Sequence, residues 1–144
     1  MDIKEALGNI KLSKNFTALE FCNSQDGYAI KVPDIRLFEC LQKLRDKVGL
    51  VKLTSGYRTK AFNAKVKGSA NSNHMKGEAV DIQFTTKLTV DQLKDLFAFC
   101  GFNNVGIYLR NEQYAWFHLD ISPRWNVGNG WQHYKNIAFK VYNV

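Results

Sequence analysis

The sequence predicts an α+β domain, and three observations carry the prediction. Between Pro33 and Gly49, Leu37, Leu41, Leu44 and Val48 recur at helical spacing, which gives a helix with one apolar face. Ala79 to Phe84 alternates apolar and polar residues as a half-buried strand does, and Ala115 to Ile121 reads as a second strand. With 144 residues, 45% of them hydrophobic, the chain suffices for one core and falls short of two ordinary domains. No internal repeat, low-complexity segment or linker divides it, so residues 1–144 are expected to form a single domain.

The elements follow in order. Pro33 opens the amphipathic helix and Gly49 closes it, and this helix is expected to supply much of the core. Val51 to Ser55 reads as a strand leading to Arg58, and Lys60 to Val66 as a short helix. Gly68 to Asn73 is small and polar, a loop that delivers His74, and Gly77 marks a sharp turn or a close backbone approach before the strand that carries Asp81. Thr89 with Gln92 three residues on is a capping box for a helix to Cys100, which Gly101 stops. Val105 to Tyr108 and Ala115 to Ile121 form a hairpin across the polar turn Leu109 to Tyr114. Side-chain alternation then puts Trp116, His118 and Asp120 on one face and Phe117, Leu119 and Ile121 on the core side. The tail from Ser122 to Val144 is rich in Trp, Tyr and Asn and shows no periodic pattern.

Lys and Arg exceed Asp and Glu by 20 to 13, giving +7 spread along the chain without a run of like charge. Such a surface attracts polyanions in general. No zinc finger, basic helix or RNA-binding signature is present, so a nucleic-acid partner is not expected. The start lacks the basic region and apolar run of a secretory signal, and no apolar stretch approaches a membrane span, so synthesis in the cytoplasm without a signal peptide is expected. Cys22, Cys40 and Cys100 are odd in number, widely separated and in apolar settings, which predicts buried thiols rather than a disulfide framework.

The chemistry concentrates in two segments, Ser72-Asn73-His74-Met75-Lys76-Gly77-Glu78-Ala79-Val80-Asp81 and Trp116-Phe117-His118-Leu119-Asp120. An open zinc site takes three protein ligands and keeps a fourth position for water, so two His and one Asp are a suitable count. His74, Asp81 and His118 are the candidates. An aspartate alone in an apolar strand is a poorly placed charge, and metal ligation removes that cost. His118, between Phe117 and Leu119, reads either as a satisfied core histidine or as a ligand.

At these residues the chain resembles the zinc D-alanyl-D-alanine carboxypeptidase family, which includes carboxypeptidases, dipeptidases and phage endolysins that cut peptidoglycan stem peptides. The resemblance rests on Ser-x-His-x-x-Gly-x-Ala-x-Asp, preceded by Ser55-Gly56-Tyr57-Arg58-Thr59 and Asn63 and followed by the late His-x-Asp. It extends to Leu12-Ser13-Lys14-Asn15-Phe16-Thr17-Ala18-Leu19-Glu20-Phe21 and Val105-Gly106-Ile107-Tyr108, features of the compact subgroup, and so runs from about Leu12 to Trp125. It implies a compact hedgehog/D-Ala-D-Ala peptidase-like domain, with a small antiparallel sheet carrying a Zn2+ site on His74, Asp81 and His118, and flanking helices.

The resemblance also implies roles. Arg58 belongs in the substrate cleft, where a planar guanidinium can hold the stem peptide and stabilise the oxyanion. Ser72 either contacts substrate or fixes the His74 loop, Tyr108 and Trp116 are cleft walls that bind substrate, and Tyr57 is packing. Many relatives place an acid three residues before the last His, where this chain has Ala115, or an imidazole two before it, where it has Trp116. Asp120 is the carboxylate left on the ligand face: either it transfers protons as the general base or it accepts a hydrogen bond from a ligand His. His133 has no motif support and reads as structural or as cleft rim, and Glu78 and Glu112 are weaker candidates for the base. The implied activity is zinc-dependent hydrolysis of a peptide bond in the peptidoglycan stem or cross-link by a monomer that reaches the wall after phage-type release or non-classical export. The alternative is a zinc-bearing wall-binding module without turnover.

Overall fold

The computed structural model describes residues 1–23 and 27–144. The short helix α1 (Ile3–Gly8) leads into a two-stranded antiparallel sheet, β1 (Lys11–Ser13) and β2 (Phe16–Thr17), and then into α2 (Ala18–Cys22), which starts on a capping box between Thr17 and Glu20. The long amphipathic helix is α3 (Ile35–Val48). Its cap is Asp34, whose side chain accepts from Arg36 N, so the helix begins two residues after Pro33, and Gly49 ends it. There follow β3 (Lys52–Ser55), α4 (Lys60–Lys65), a 3-10 turn (Asn73–Lys76), β4 (Ala79–Gln83), α5 (Val90–Cys100), β5 (Asn104–Arg110), β6 (Gln113–Asp120), β7 (Gln132–Tyr134) and β8 (Ile137–Asn143). The capping box of Thr89 and Gln92 and the stop at Gly101 stand where the sequence puts them.

Strands β3 to β8 form one sheet in the order β3-β4-β6-β5-β8-β7. The α+β class is as expected, with two refinements. The site is carried by this larger sheet, not by the two-stranded one, and the sheet is mixed, because β8 pairs parallel to β5. The tail without a pattern thus supplies two strands. β8 is buried at Ile137, Ala138 and Phe139, so it reads as an apolar run rather than an alternation. The hairpin turn is also tighter than the six residues assigned to it. Asn111 and Glu112, both at positive φ, make the two-residue connection, and the strands extend to Arg110 and Gln113.

One face of the sheet packs on α3 and α5. Leu37, Phe38, Leu41 and Leu44 from α3 and Leu93, Phe97 and Cys100 from α5 join Val80, Ile82, Val105, Ile107, Phe117 and Leu119 in the core, all essentially without exposed surface apart from Phe117 at 2%. Each such side chain contributes about 1.5–3 kcal/mol of burial. The three cysteines are buried free thiols. The opposite face carries Asp81, Trp116 and His118, and that division follows from the period-2 alternation of β4 and β6.

The turn that brings the chain onto this face depends on Gly77. It caps the 3-10 turn in the left-handed region at φ 73°, and a Cβ there would stand 3.3 Å from the Pro33 Cα. Gly77→Ala is expected to lower stability by about 1–2 kcal/mol, read as a fall in the midpoint of denaturant unfolding. An unchanged midpoint would contradict this account of the turn.

Candidate metal centre

His74, Asp81 and His118 come together from three elements: the 3-10 turn, β4 and β6. The β4–β6 register sets Asp81 directly opposite His118, and Asp81 Oδ1 lies 3.1 Å from His118 Nδ1 and 3.3 Å from His74 Nε2. One ligand atom from each residue falls within 4.8 Å of the others. The two imidazoles thus meet the carboxylate through different ring nitrogens.

The remaining ring nitrogen of each histidine is held from behind. His74 Nδ1 is 2.8 Å from the carbonyl oxygen of Gly56, and His118 Nε2 is 2.8 Å from Asp120 Oδ2. A ligand imidazole that donates its second N–H to a carbonyl or carboxylate is fixed in tautomer and orientation. The Ser-Gly-Tyr-Arg segment is what makes the first of these contacts. Gly56 passes so close to α2 that a Cβ would lie 2.3 Å from the Phe21 carbonyl oxygen, Tyr57 N donates to that oxygen at 2.9 Å, and Arg58 N donates to His74 O at 3.2 Å. His74 itself is on the 3-10 turn rather than in an open loop, and Ser72 caps that turn by accepting from His74 N at 3.2 Å.

A family model for Peptidase M15 matches residues 12–120. The chain belongs to the peptidase M15 family. That model covers every residue of the cluster, and M15 enzymes are zinc D-Ala-D-Ala carboxypeptidase-like peptidases, so a metallopeptidase is supported at the level of the family. Among curated proteins, none matches the chain.

The M15 cluster suits zinc by its donor chemistry. Two imidazole nitrogens and one carboxylate oxygen are a borderline donor set, whereas magnesium and calcium prefer oxygen throughout. The candidate ligands are mostly enclosed, with side-chain exposures of 3% for His74, 14% for Asp81 and 16% for His118. Among the described residues this is the group that could hold a metal; His133, Glu78 and Glu112 are not part of it. His133 instead meets the Trp125 carbonyl oxygen at 2.6 Å on an exposed strand.

Arg58 closes one side of the M15 cluster. Its Nη2 donates to Asp81 Oδ2 at 3.2 Å, its Nε to Ser55 Oγ at 3.0 Å and its Nη1 to Asn63 Oδ1 at 3.4 Å. Asn63, 3% exposed, is anchored in turn by donating to Ser69 O at 2.8 Å. Among the described residues, these bonds engage three of the five guanidinium N–H groups.

Asp120 has no exposed surface. Its Oδ1 accepts from Asn104 Nδ2 at 2.7 Å, from Ser122 Oγ at 2.9 Å and from Ser122 N at 3.2 Å, while Oδ2 faces His118 and accepts from Asn73 Nδ2 at 3.5 Å. Asn104 also accepts from Trp125 N at 2.8 Å, and the Trp125 ring stacks beside His118 at 6.1 Å. Trp116, Tyr108 and Tyr142 stack across three strands with centroids 4.5 and 4.3 Å apart, forming a wall on the same face. Asn104, Ser122, Trp125 and Tyr142 carried no motif in the sequence; their signal appears only once β8 and the loop after β6 are placed.

Electrostatics follow from this packing. For His118, burial pushes its pKa down, but the Asp120 and Asp81 carboxylates overcome it and raise the pKa to about 9. For Asp81, burial pushes its pKa up, and the hydrogen bonds and charges of His118 and His74 more than reverse this, holding it well below the usual carboxylate range. A His118 with a pKa of about 9 is protonated at pH 7 without metal, and a metal must displace that proton. Zinc affinity, measured by chelator competition, is therefore expected to rise about tenfold per pH unit between pH 7 and 8. Affinity that is flat across that interval would contradict the raised pKa of His118.

Proposed function

We propose that this M15 chain is a zinc-dependent peptidase that hydrolyses peptide bonds in the peptidoglycan stem or cross-link, as an endolysin or D,D-carboxypeptidase does. The observation that carries the reading is the convergence of His74 Nε2, His118 Nδ1 and Asp81 Oδ1 beside the Arg58 guanidinium. His74, Asp81 and His118 would hold the zinc. When bound, zinc supplies a Lewis acid for the scissile carbonyl and makes water a nucleophile near neutral pH.

The other residues position and bind. Arg58 presents its guanidinium to the substrate, where a planar fork holds a carboxylate or the oxygen that gains charge as the amide is attacked. The same side chain secures the second oxygen of Asp81, so it supports the ligand as well as the substrate. Ser72 serves the His74 turn. Tyr108 and Trp116 form the wall along which an extended peptide lies. Of the two roles open to Asp120, we assign the positioning one: its complete burial and its five donor groups suit an acceptor that fixes His118, not a base that meets water. The engagement of Asp120 also favours the second reading, a zinc-bearing wall-binding module without turnover, because it removes one candidate base. The basic surface suits either kind of wall protein, acting after phage-type release or non-classical export.

Incubation of zinc-loaded protein with purified peptidoglycan, followed by mass spectrometry of the released fragments, separates the two. The peptidase reading predicts free D-alanine or new amino termini within cross-linked stems; binding without any fragment would favour the module. At saturating zinc, Arg58→Ala is expected to lower turnover at least about tenfold, and Arg58→Lys to restore part of it because the paired geometry is lost. Asp120→Asn is expected to weaken zinc binding about 10–100-fold and to regain activity in excess zinc. Near-complete loss of turnover at full zinc occupancy would instead make Asp120 the proton-transfer group.

A further inference from the structure

The face that carries the metal cluster continues past it. Gln83 and Trp116 lie two residues along β4 and β6 from Asp81 and His118, so strand alternation sets all four on one side of the sheet. Two hollows meet at this pair. One, of about 590 Å³, is bordered mainly by apolar groups such as Leu50, Phe84, Tyr114 and Trp116, with Lys52, Gln83 and Glu20 at its polar side; the other, of about 470 Å³, is bordered by Gln83, Arg110 and Trp116. One face of the Trp116 ring is stacked on Tyr108, and the Arg110 guanidinium stands over the ring, 5.9 Å from its centroid.

Cations outnumber acids on this shelf, with Lys52 and Arg110 against Glu20. Lys52 and Arg110 are exposed, and among the described residues neither forms an ion pair. Glu20, the acid on the wall, is committed to the start of α2, where its Oε1 accepts from Thr17 N at 3.0 Å and from Thr17 Oγ1 at 3.3 Å. Gln83 is fixed at the rim by donating to the Ala115 carbonyl oxygen at 2.9 Å. A guanidinium lying against an indole is weakly hydrated and still presents a fork that matches a carboxylate. Two residues of strand rise about 6.6 Å, so an extended peptide with its scissile bond at the cluster places a neighbouring residue over Trp116.

We propose that Lys52, Arg110 and Trp116 form a subsite for a carboxylate-bearing residue next to the scissile bond, with the two cations as its specificity-determining residues; this rests on the peptidase reading above. The subsite favours stem peptides whose side carboxylates are free over the same peptides with those carboxylates converted to carboxamides.

The test uses that matched pair of peptides, with equilibrium binding to the metal-free protein and KM and kcat for the zinc-loaded protein. Wild type is expected to bind the carboxylate form about tenfold more tightly, in a salt-dependent way. The double variant Lys52→Glu/Arg110→Glu should lose that preference through KM rather than kcat. Equal binding of the two peptides by wild type, or a preference that survives the double variant, overturns the subsite while leaving the peptidase reading intact. A salt-independent preference overturns it in favour of shape alone. Cleavage of neither peptide with the binding preference present overturns the peptidase reading and supports the shelf as a carboxylate site.

Discussion

A carboxylate with no exposed surface must be fully satisfied, and Asp120 is the point on which the site is organised. Among the described residues no buried side-chain nitrogen or oxygen lacks a partner, and Asp120 achieves this by drawing together β5, the loop after β6, the 3-10 turn and His118. Its demand for donors fixes which nitrogen of His118 faces Asp81. The same demand recruits Asn104, whose other amide atom holds the loop that sets Trp125 against His118. Ring orientation at the cluster and the aromatic roof above it thus have one cause.

The cluster is also a product of sheet register. Asp81 faces His118 because β4 and β6 pair with Ala79 opposite Asp120 and Ile82 opposite Phe117; a slip of one residue would turn the ligands toward the core. Phe117 and Leu119, flanking His118, are locked into the apolar layer under α3 and α5, so core packing specifies the register that the chemistry needs. His74 reaches the cluster by another route. It is held by two contacts to backbone groups, its ring on the Gly56 carbonyl and its carbonyl on Arg58 N, and these tie the Ser-Gly-Tyr-Arg segment to the metal turn.

The legible part of this arrangement is the part with local signals. Helical spacing at Leu37, Leu41 and Leu44, the capping box at Thr89 and strand alternation around Asp81 and His118 each arise from neighbours in sequence, and each stands in the structure. The candidate ligands were legible through spacing and motif resemblance together. What escaped is long-range. β8 is a parallel neighbour of β5, and nothing in a short apolar run after a polar tail specifies that partner. Asn104 looks like any strand-end asparagine until Asp120 is found beneath it, and the role of Gly56 depends on the approach of α2. The hairpin turn is shorter than its composition suggests because Arg110 and Gln113 are polar and exposed at the strand ends, so the loss of alternation there does not mark the boundary.

The central claim is that one preorganised cluster presents His74 Nε2, Asp81 and His118 Nδ1 to a metal while Gly56 and Asp120 hold the opposite ring nitrogens. Anomalous diffraction at the zinc absorption edge from crystals of the zinc-loaded protein tests it most directly. The account predicts a single strong zinc peak bonded to those three residues through those atoms, with the His118 Nε2 contact to Asp120 retained. A peak bound through His118 Nε2, with Asp120 turned to the metal, or a zinc located away from the cluster, would contradict it.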